Sequence, residues 1–289
     1  MDIVFLKILN MSIPASWLIL AVIILRLVLK KAPKAIICAL WLIVAIRLIC
    51  PFSFESAFSL IPSTETVGQD ILYSQTPGIT SGIPAINSVV NPVIAGSLAP
   101  EVGVSVNPVQ IWTIIVSCIW VVGVAAMLGY AIVSYLRIKK KVREGASLRD
   151  NIWLCDHIDT PFILGVLHPR IYLPSAMGDA QSDYVVAHEN AHLKRHDHWW
   201  KPLGFLLLTI YWFNPLCWLA YVLLCRDIEM ACDEKVVKDW GAHDKKAYSE
   251  ALLSCSVPRR MVAACPLAFG EVGVKERVKN VLNYKKPAF

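Results

Sequence analysis

The chain has 289 residues, of which 56% are hydrophobic and 17% charged, with a formal net charge of +6. That composition is too apolar for an ordinary cytosolic enzyme and points to a membrane protein. The basic residues sit beside apolar runs rather than in a stripe interleaved with aromatics, which argues against direct nucleic-acid binding.

The first apolar run, residues 14–29 (PASWLILAVIILRLVL), is not a signal peptide: it lacks a basic leader, contains Arg26 and precedes no small-residue cleavage site. The sequence KKAPK follows, then a second run at 35–50. Both are near the short end for a bilayer crossing, with Arg26 and Arg47 expected to snorkel to an interface. Residues 51–106 are rich in Pro, Ser, Gly and Thr, and all their charges are acidic; they read as an external loop with short extended pieces such as 69–74. A third run at 109–136 ends in RIKKKVR. Basic flanks stay cytoplasmic, so the expected topology has the N-terminus outside and everything after residue 137 inside.

The cytoplasmic part opens with short strands near 151–158 and 170–174, with turn material around a third at 161–169. From Ser182, a plausible N-cap, the pattern is helical through SDYVVAHENAHLKRHDHWW. The nine cysteines include no CxxC pair, and Cys225, Cys232, Cys255 and Cys265 lack zinc-ribbon spacing, so they read as buried free thiols.

The helix contains His188-Glu189-Asn190-Ala191-His192, the HExxH pattern. Histidines at i and i+4 share a helix face and can reach one Zn2+, with Glu189 placed as the catalytic general base. A catalytic zinc needs a third protein ligand and one open position. His196 is one candidate. Glu229 is the better one, because Glu229 and Asp233 share a face of a later helix, where one can ligate while the other anchors a ligand histidine. Residues 204–225 are long enough to cross a bilayer, yet a crossing would carry Glu229 away from His188. Asn214-Pro215 near the middle predicts a broken, re-entrant hairpin instead.

Four stretches, PFILGVLHPRIYLP (161–174), HENAHLKRHDHWWK (188–201), NPLCWLAY (214–221) and RDIEMACDE (226–234), together resemble the integral-membrane zinc metallopeptidases that include the beta-lactam sensor-transducers of Gram-positive bacteria. The resemblance covers nearly the whole chain. It implies a multi-pass α-helical membrane protein with a cytoplasmic α+β, gluzincin-like metallopeptidase domain. The expected boundaries are a membrane region at 1–136 with three transmembrane helices, and a peptidase domain at 137–289 that includes the membrane-associated segment 204–225. It implies His188, His192 and Glu229 as zinc ligands, Glu189 as base and Asp233 behind the ligands. It also implies cleavage of a cytoplasmic transcriptional repressor, or of the chain itself, after an external signal. Asn190 departs mildly from the family pattern. Known members continue into a further helix and a penicillin-binding sensor, whereas this sequence reads to Phe289 after VLNYKKPAF, so a beta-lactam response is not supported by these residues.

Tyr248 and His243 are candidate donors to the reaction's oxyanion. Residues Ile163, Leu164, Gly165 and Val166, or the stretch 171–173, are candidates for an edge strand that pairs with an extended substrate. The basic stretch 257–261 is a candidate self-cleavage site. The expected partners are a cytoplasmic protein substrate, the lipid bilayer and a second copy of the chain. The alternative is a non-catalytic membrane signalling protein with a structural zinc, which would leave Glu189 without a task.

Overall fold

Two apolar helices open the chain: α1 (Asp2–Val28) and α2 (Lys34–Ile49), the second starting directly after Pro33, whose fixed φ suits a helix start. This is a computed structural model, and it describes residues 2–30, 32–51, 66–72, 74, 77–81, 83–98, 107–255 and 273–286. The expected self-cleavage stretch 257–261 and residues 52–65 and 99–106 of the expected external loop lie outside the described residues.

Within that loop two elements replace the expected extended pieces: a 3-10 turn at Gln69–Leu72 and helix α3 (Pro84–Leu98). Helix α4 (Pro108–Lys141) starts under an N-cap, Asn107, whose side chain accepts from the Val109 N–H, with proline at the first helical position. Both α1 and α4 are long and apolar enough to cross a membrane. The 16 residues of α2 fall short of the roughly 20 that a crossing needs.

A small mixed sheet follows, built from β1 (Ala146–Arg149), β2 (Ile152–Cys155), β3 (Phe162–Leu164) and β4 (Arg170–Pro174) in the order β1-β2-β4-β3. β2 and β4 are parallel; the other two pairs are antiparallel. Side chains alternate between faces. Phe162, Leu164 and Tyr172 pack with Val142 and Ile138 at the end of α4, while Ile163, Ile171 and Leu173 pack on Val185 and Ala251. The sheet is thus held between α4 and the metal-site helices, with β3 as an outer strand.

Helix α5 (Asp179–Lys194) carries HExxH and is capped four residues earlier than expected, at Gly178 rather than Ser182. It also stops sooner than expected. His196 takes a left-handed conformation (φ 58°), and the chain turns there into α6 (Asp197–Ile210). Helix α7 (Pro215–Val237) begins at the Asn214-Pro215 break and runs back along α6, so that Phe205 meets Tyr221 and Lys201 meets Glu229. Asn214 is buried and fully used: its carbonyl accepts from the Leu216 N–H, and its amide donates to Ser12 and Ser16 of α1. A single apolar core joins α1, α2, α6 and α7, including Ile19, Trp41, Phe205, Leu208, Cys217 and Leu223. Helices α8 (Ala242–Cys255) and α9 (Val274–Leu282) complete the described chain.

Arg26 does not reach for an interface as expected. Its Nε sits 2.8 Å and 3.0 Å from the two carboxylate oxygens of Asp227 on α7. The reason is local: Asp227 is 1% exposed and needs a cation. Arg47 donates to its own chain at the Cys50 carbonyl.

Candidate metal centre

His188 and His192 lie one turn apart on α5, so their rings fall on one face and their Nε2 atoms stand 3.1 Å apart. The Glu229 Oε2 of α7 completes a triangle, 3.4 Å from His188 Nε2 and 3.5 Å from His192 Nε2. All three residues are buried. Tetrahedral zinc with bonds of about 2.0–2.1 Å sets its donors roughly 3.3 Å apart. The three edges fit that spacing.

Proton placement supports the same conclusion. Tyr248 Oη lies 2.8 Å from His188 Nδ1 and donates onward to Asp233 Oδ1 at 2.6 Å. Burial and the Asp233 carboxylate push the Tyr248 phenol well above its ordinary range, so it keeps that proton. The His192 Nδ1 faces Asp197 Oδ2 at 2.9 Å. In a neutral ring each Nδ1 would carry the proton toward its oxygen, which turns the Nε2 lone pair to the triangle. Burial works against charge on His192, but Cys232, Glu229 and Asp197 outweigh it and hold its pKa well above the ordinary value. The pocket draws positive charge onto the atoms that would ligate a metal.

Glu229 is fixed at its other oxygen, Oε1, by the buried Lys201 Nζ at 2.6 Å. Burial alone would raise the Glu229 pKa, yet Lys201 and then His192 hold it well below the ordinary carboxylate range. Arg277 of α9, 1% exposed, forks onto Asp233 with Nε and Nη2 each at 2.8 Å. Its terminal nitrogens also reach His188 Nε2 at 3.2 Å and Glu229 Oε2 at 3.4 Å.

Glu189 is 6% exposed, and its Oε2 has no hydrogen-bond partner among the described residues. A buried carboxylate oxygen without a partner is costly in a purely structural setting and calls for an explanation. A second possible cage, His192 with Asp197 and Cys232, uses the Nδ1 face of the same imidazole. Since that nitrogen holds the proton that frees Nε2, the two cages exclude each other for a neutral histidine. Cys232 instead donates to Asp197 Oδ2 at 3.1 Å, and burial pushes its thiol up to about 11.

Among the residues singled out from sequence, His188, Glu189, His192, Glu229 and Asp233 come together. Tyr248 joins them from behind His188, where its hydroxyl is committed to the ligand and to Asp233 rather than directed to an oxyanion. His243 stands apart, with a side chain 95% exposed beside Asp244. His196 is spent on the α5–α6 turn. Ile163 and Leu164 are buried in the outer strand β3, Gly165 turns the chain at φ 111°, and Val166 is exposed. Asp197, Lys201, Cys232 and Arg277 were not anticipated. Asp197 and Lys201 follow the motif closely and carry charge into an apolar context, which is a readable signal; Arg277 has none.

A buried His-His-Glu triangle on an HExxH helix and a later acidic helix marks a largely helical protein whose acceptors could hold a metal ion, as a metallopeptidase would. The chain belongs to the family described as BlaR1 peptidase M56, which matches residues 6–281. It is 27% identical over 314 residues to the methicillin resistance mecR1 protein of Staphylococcus aureus, covering 96% of this chain and 51% of that protein, with the same figures for the Staphylococcus epidermidis protein. It is 28% identical over 195 residues to the regulatory protein BlaR1 of Bacillus licheniformis, covering 58% of this chain and 32% of that protein. The chain spans about half the length of the mecR1 relatives it matches.

Proposed function

We propose that this chain is a zinc-dependent endopeptidase at the cytoplasmic membrane face that cleaves a transcriptional repressor, or itself, in signal transduction. The observation that carries the reading is the acceptor triangle of 3.1, 3.4 and 3.5 Å with Glu189 beside it. Family membership supports it, as do relatives named for methicillin resistance and regulation. In this reading α1 and α4 span the bilayer with basic flanks inside, α2 crosses with its flanking residues supplying the turns that its 16 residues lack, residues 137–289 form the peptidase domain, and the α6–α7 hairpin is re-entrant.

His188, His192 and Glu229 would hold the zinc, which when bound supplies Lewis-acid polarisation of the scissile carbonyl and acidifies a water. Glu189 takes the water's proton and returns it to the leaving amine. Arg277 replaces Tyr248 and His243 as the donor to the oxyanion, because its terminal nitrogens already lie beside the ligand atoms. Asp233 aims that guanidinium by a two-point fork. The outer strand β3 and residues 165–166 offer an edge on which an extended substrate can pair.

The deciding experiment compares zinc content and proteolysis of detergent-purified wild type and Glu189→Gln against candidate cytoplasmic repressors. Zinc in both with cleavage in wild type alone is the expected result; lack of zinc in wild type would sink the reading. A purely structural zinc is disfavoured by the buried Oε2 of Glu189, which has no partner among the described residues.

A further inference from the structure

Helix α7 presents two acidic pairs. Asp227 and Glu234 are seven residues apart and share one face; Glu229 and Asp233 are four apart and share another. At about 100° per residue the second pair lies roughly 200–240° around the helix from Asp227, nearly opposite. One face meets the metal site. The other meets the apolar hairpin of α1 and α2.

That second contact is polar, buried and made of several bonds. Asp227 accepts from Arg26 Nε of α1 and, at Oδ2, from the Trp41 indole N–H of α2 at 2.9 Å. About two turns further on, Glu234 Oε2 accepts the backbone N–H of Lys34, the first residue of α2, at 2.8 Å. Helix α2 also touches the other side of the centre: Arg195, which lies 3.4 Å from the Asp197 carboxylate that orients His192, donates to Cys38 Sγ at 3.6 Å. The helix that carries Glu229 and the support of His192 are therefore both tied to α1 and α2 by polar links.

We propose that Arg26 and Trp41 are positioning residues that set the metal geometry from the membrane helices, acting on Glu229 through Asp227. The proposal rests on the zinc-peptidase reading. A rigid helix clamped on one face transmits a shift of its clamp to the opposite face, two residues away in sequence. Displacing α1 relative to α2 breaks the shared carboxylate at Asp227, lets α7 rotate or slide, and moves Oε2 of Glu229 off the triangle. Regulation of the site by a change in the membrane helices then needs no ligand at the site itself.

The test uses the full chain in nanodiscs, loaded with cobalt as a spectroscopic stand-in for zinc. Metal affinity is read by chelator competition and ligand geometry by the cobalt visible band, for wild type, Arg26→Gln, Arg26→Lys, Trp41→Phe and, as a control on the same hairpin, Arg47→Gln. The expected result is a metal affinity lower by roughly tenfold or more in Arg26→Gln, the scale of losses from outer-shell changes. Trp41→Phe shifts the cobalt band in the same direction, whereas Arg26→Lys and Arg47→Gln stay near wild type. Wild-type affinity and band in Arg26→Gln overturn the proposal. If that variant does not fold, an unchanged band in Trp41→Phe overturns it. A wild type that binds no metal would instead overturn the zinc reading.

Discussion

Lys201 and Glu229 stand 28 positions apart on two antiparallel helices, and the lysine ammonium lies 2.6 Å from the one carboxylate oxygen that does not face the histidines. The pair divides the carboxylate into an anchored end and a ligating end. Replacing Lys201 with methionine removes the closer of two cations from buried Glu229 and leaves Arg277 at 3.4 Å, so the cost stays below about 3–5 kcal/mol, that of a wholly unpaired buried charge. A bound metal offsets part of that loss. Unfolding measured with and without chelator should show the larger destabilisation in the metal-free protein.

The Asp197→Asn variant keeps the side-chain shape but no longer fixes the His192 proton on Nδ1. Outer-shell partners of this kind change metal affinity by about 10–100-fold. Chelator competition at neutral pH should show a loss in that range, with the helical circular dichroism signal unchanged. Tyr248→Phe, which removes the link between His188 and Asp233, should give a smaller loss in the same assay.

Arg277→Gln should lower the turnover of a cleaved substrate by about 10²–10³-fold, the usual effect of losing an oxyanion donor. The fall belongs in kcat rather than KM, with zinc stoichiometry intact. A wild-type kcat in this variant would remove Arg277 from the reaction.

Burial holds the Glu234 carboxyl above its ordinary value of 4.5, against the hydrogen bond from the Lys34 N–H. A raised pKa in the fold means that the folded chain binds the proton more tightly than the unfolded one. Its contribution to stability is therefore present at low pH and lost as pH rises from 4.5 through the raised value. Glu234→Gln keeps an acceptor for Lys34 without the titration. The stability difference, variant minus wild type, should grow as pH rises through that window and be flat outside it.

Gly165 turns the chain from β3 toward β4 at φ 111°, and an added Cβ would lie 2.5 Å from the His168 carbonyl oxygen. Gly165→Ala should destabilise the fold by about 1–3 kcal/mol, as strained backbone positions do. Thermal unfolding checks this, and Val166→Ala next to it, on an exposed side chain, should be near neutral.

Much of the centre is written in local patterns. HExxH and ExxxD each place two groups on a helix face by spacing alone, and Asn214-Pro215 marks a helix start through a side-chain cap and a missing N–H. What escaped reading depends on partners distant in sequence. Arg26 looked like a residue bound for an interface because its own segment offers no anion; Asp227 lies 201 positions away. The bend at His196 has no glycine or proline to announce it, since a histidine there adopts a conformation that L-residues seldom take. Arg277 sits in an otherwise ordinary amphipathic stretch, and only the packing of α9 on α7 and α8 brings it to Asp233. Membrane-like length was legible for α4, whereas α1 starts well before its apolar run and α2 is no longer than its own.

The three corners of the triangle and Asp233 lie between positions 188 and 233, on α5 and α7, whereas Tyr248 and Arg277 arrive later from α8 and α9. A growing chain folds its earlier parts first, and contacts between sequence neighbours close fastest. The acceptors are therefore complete on the ribosome before the guanidinium that will lie against them has been made. Synthesis order offers the nascent site to a metal ion first and to its own arginine second.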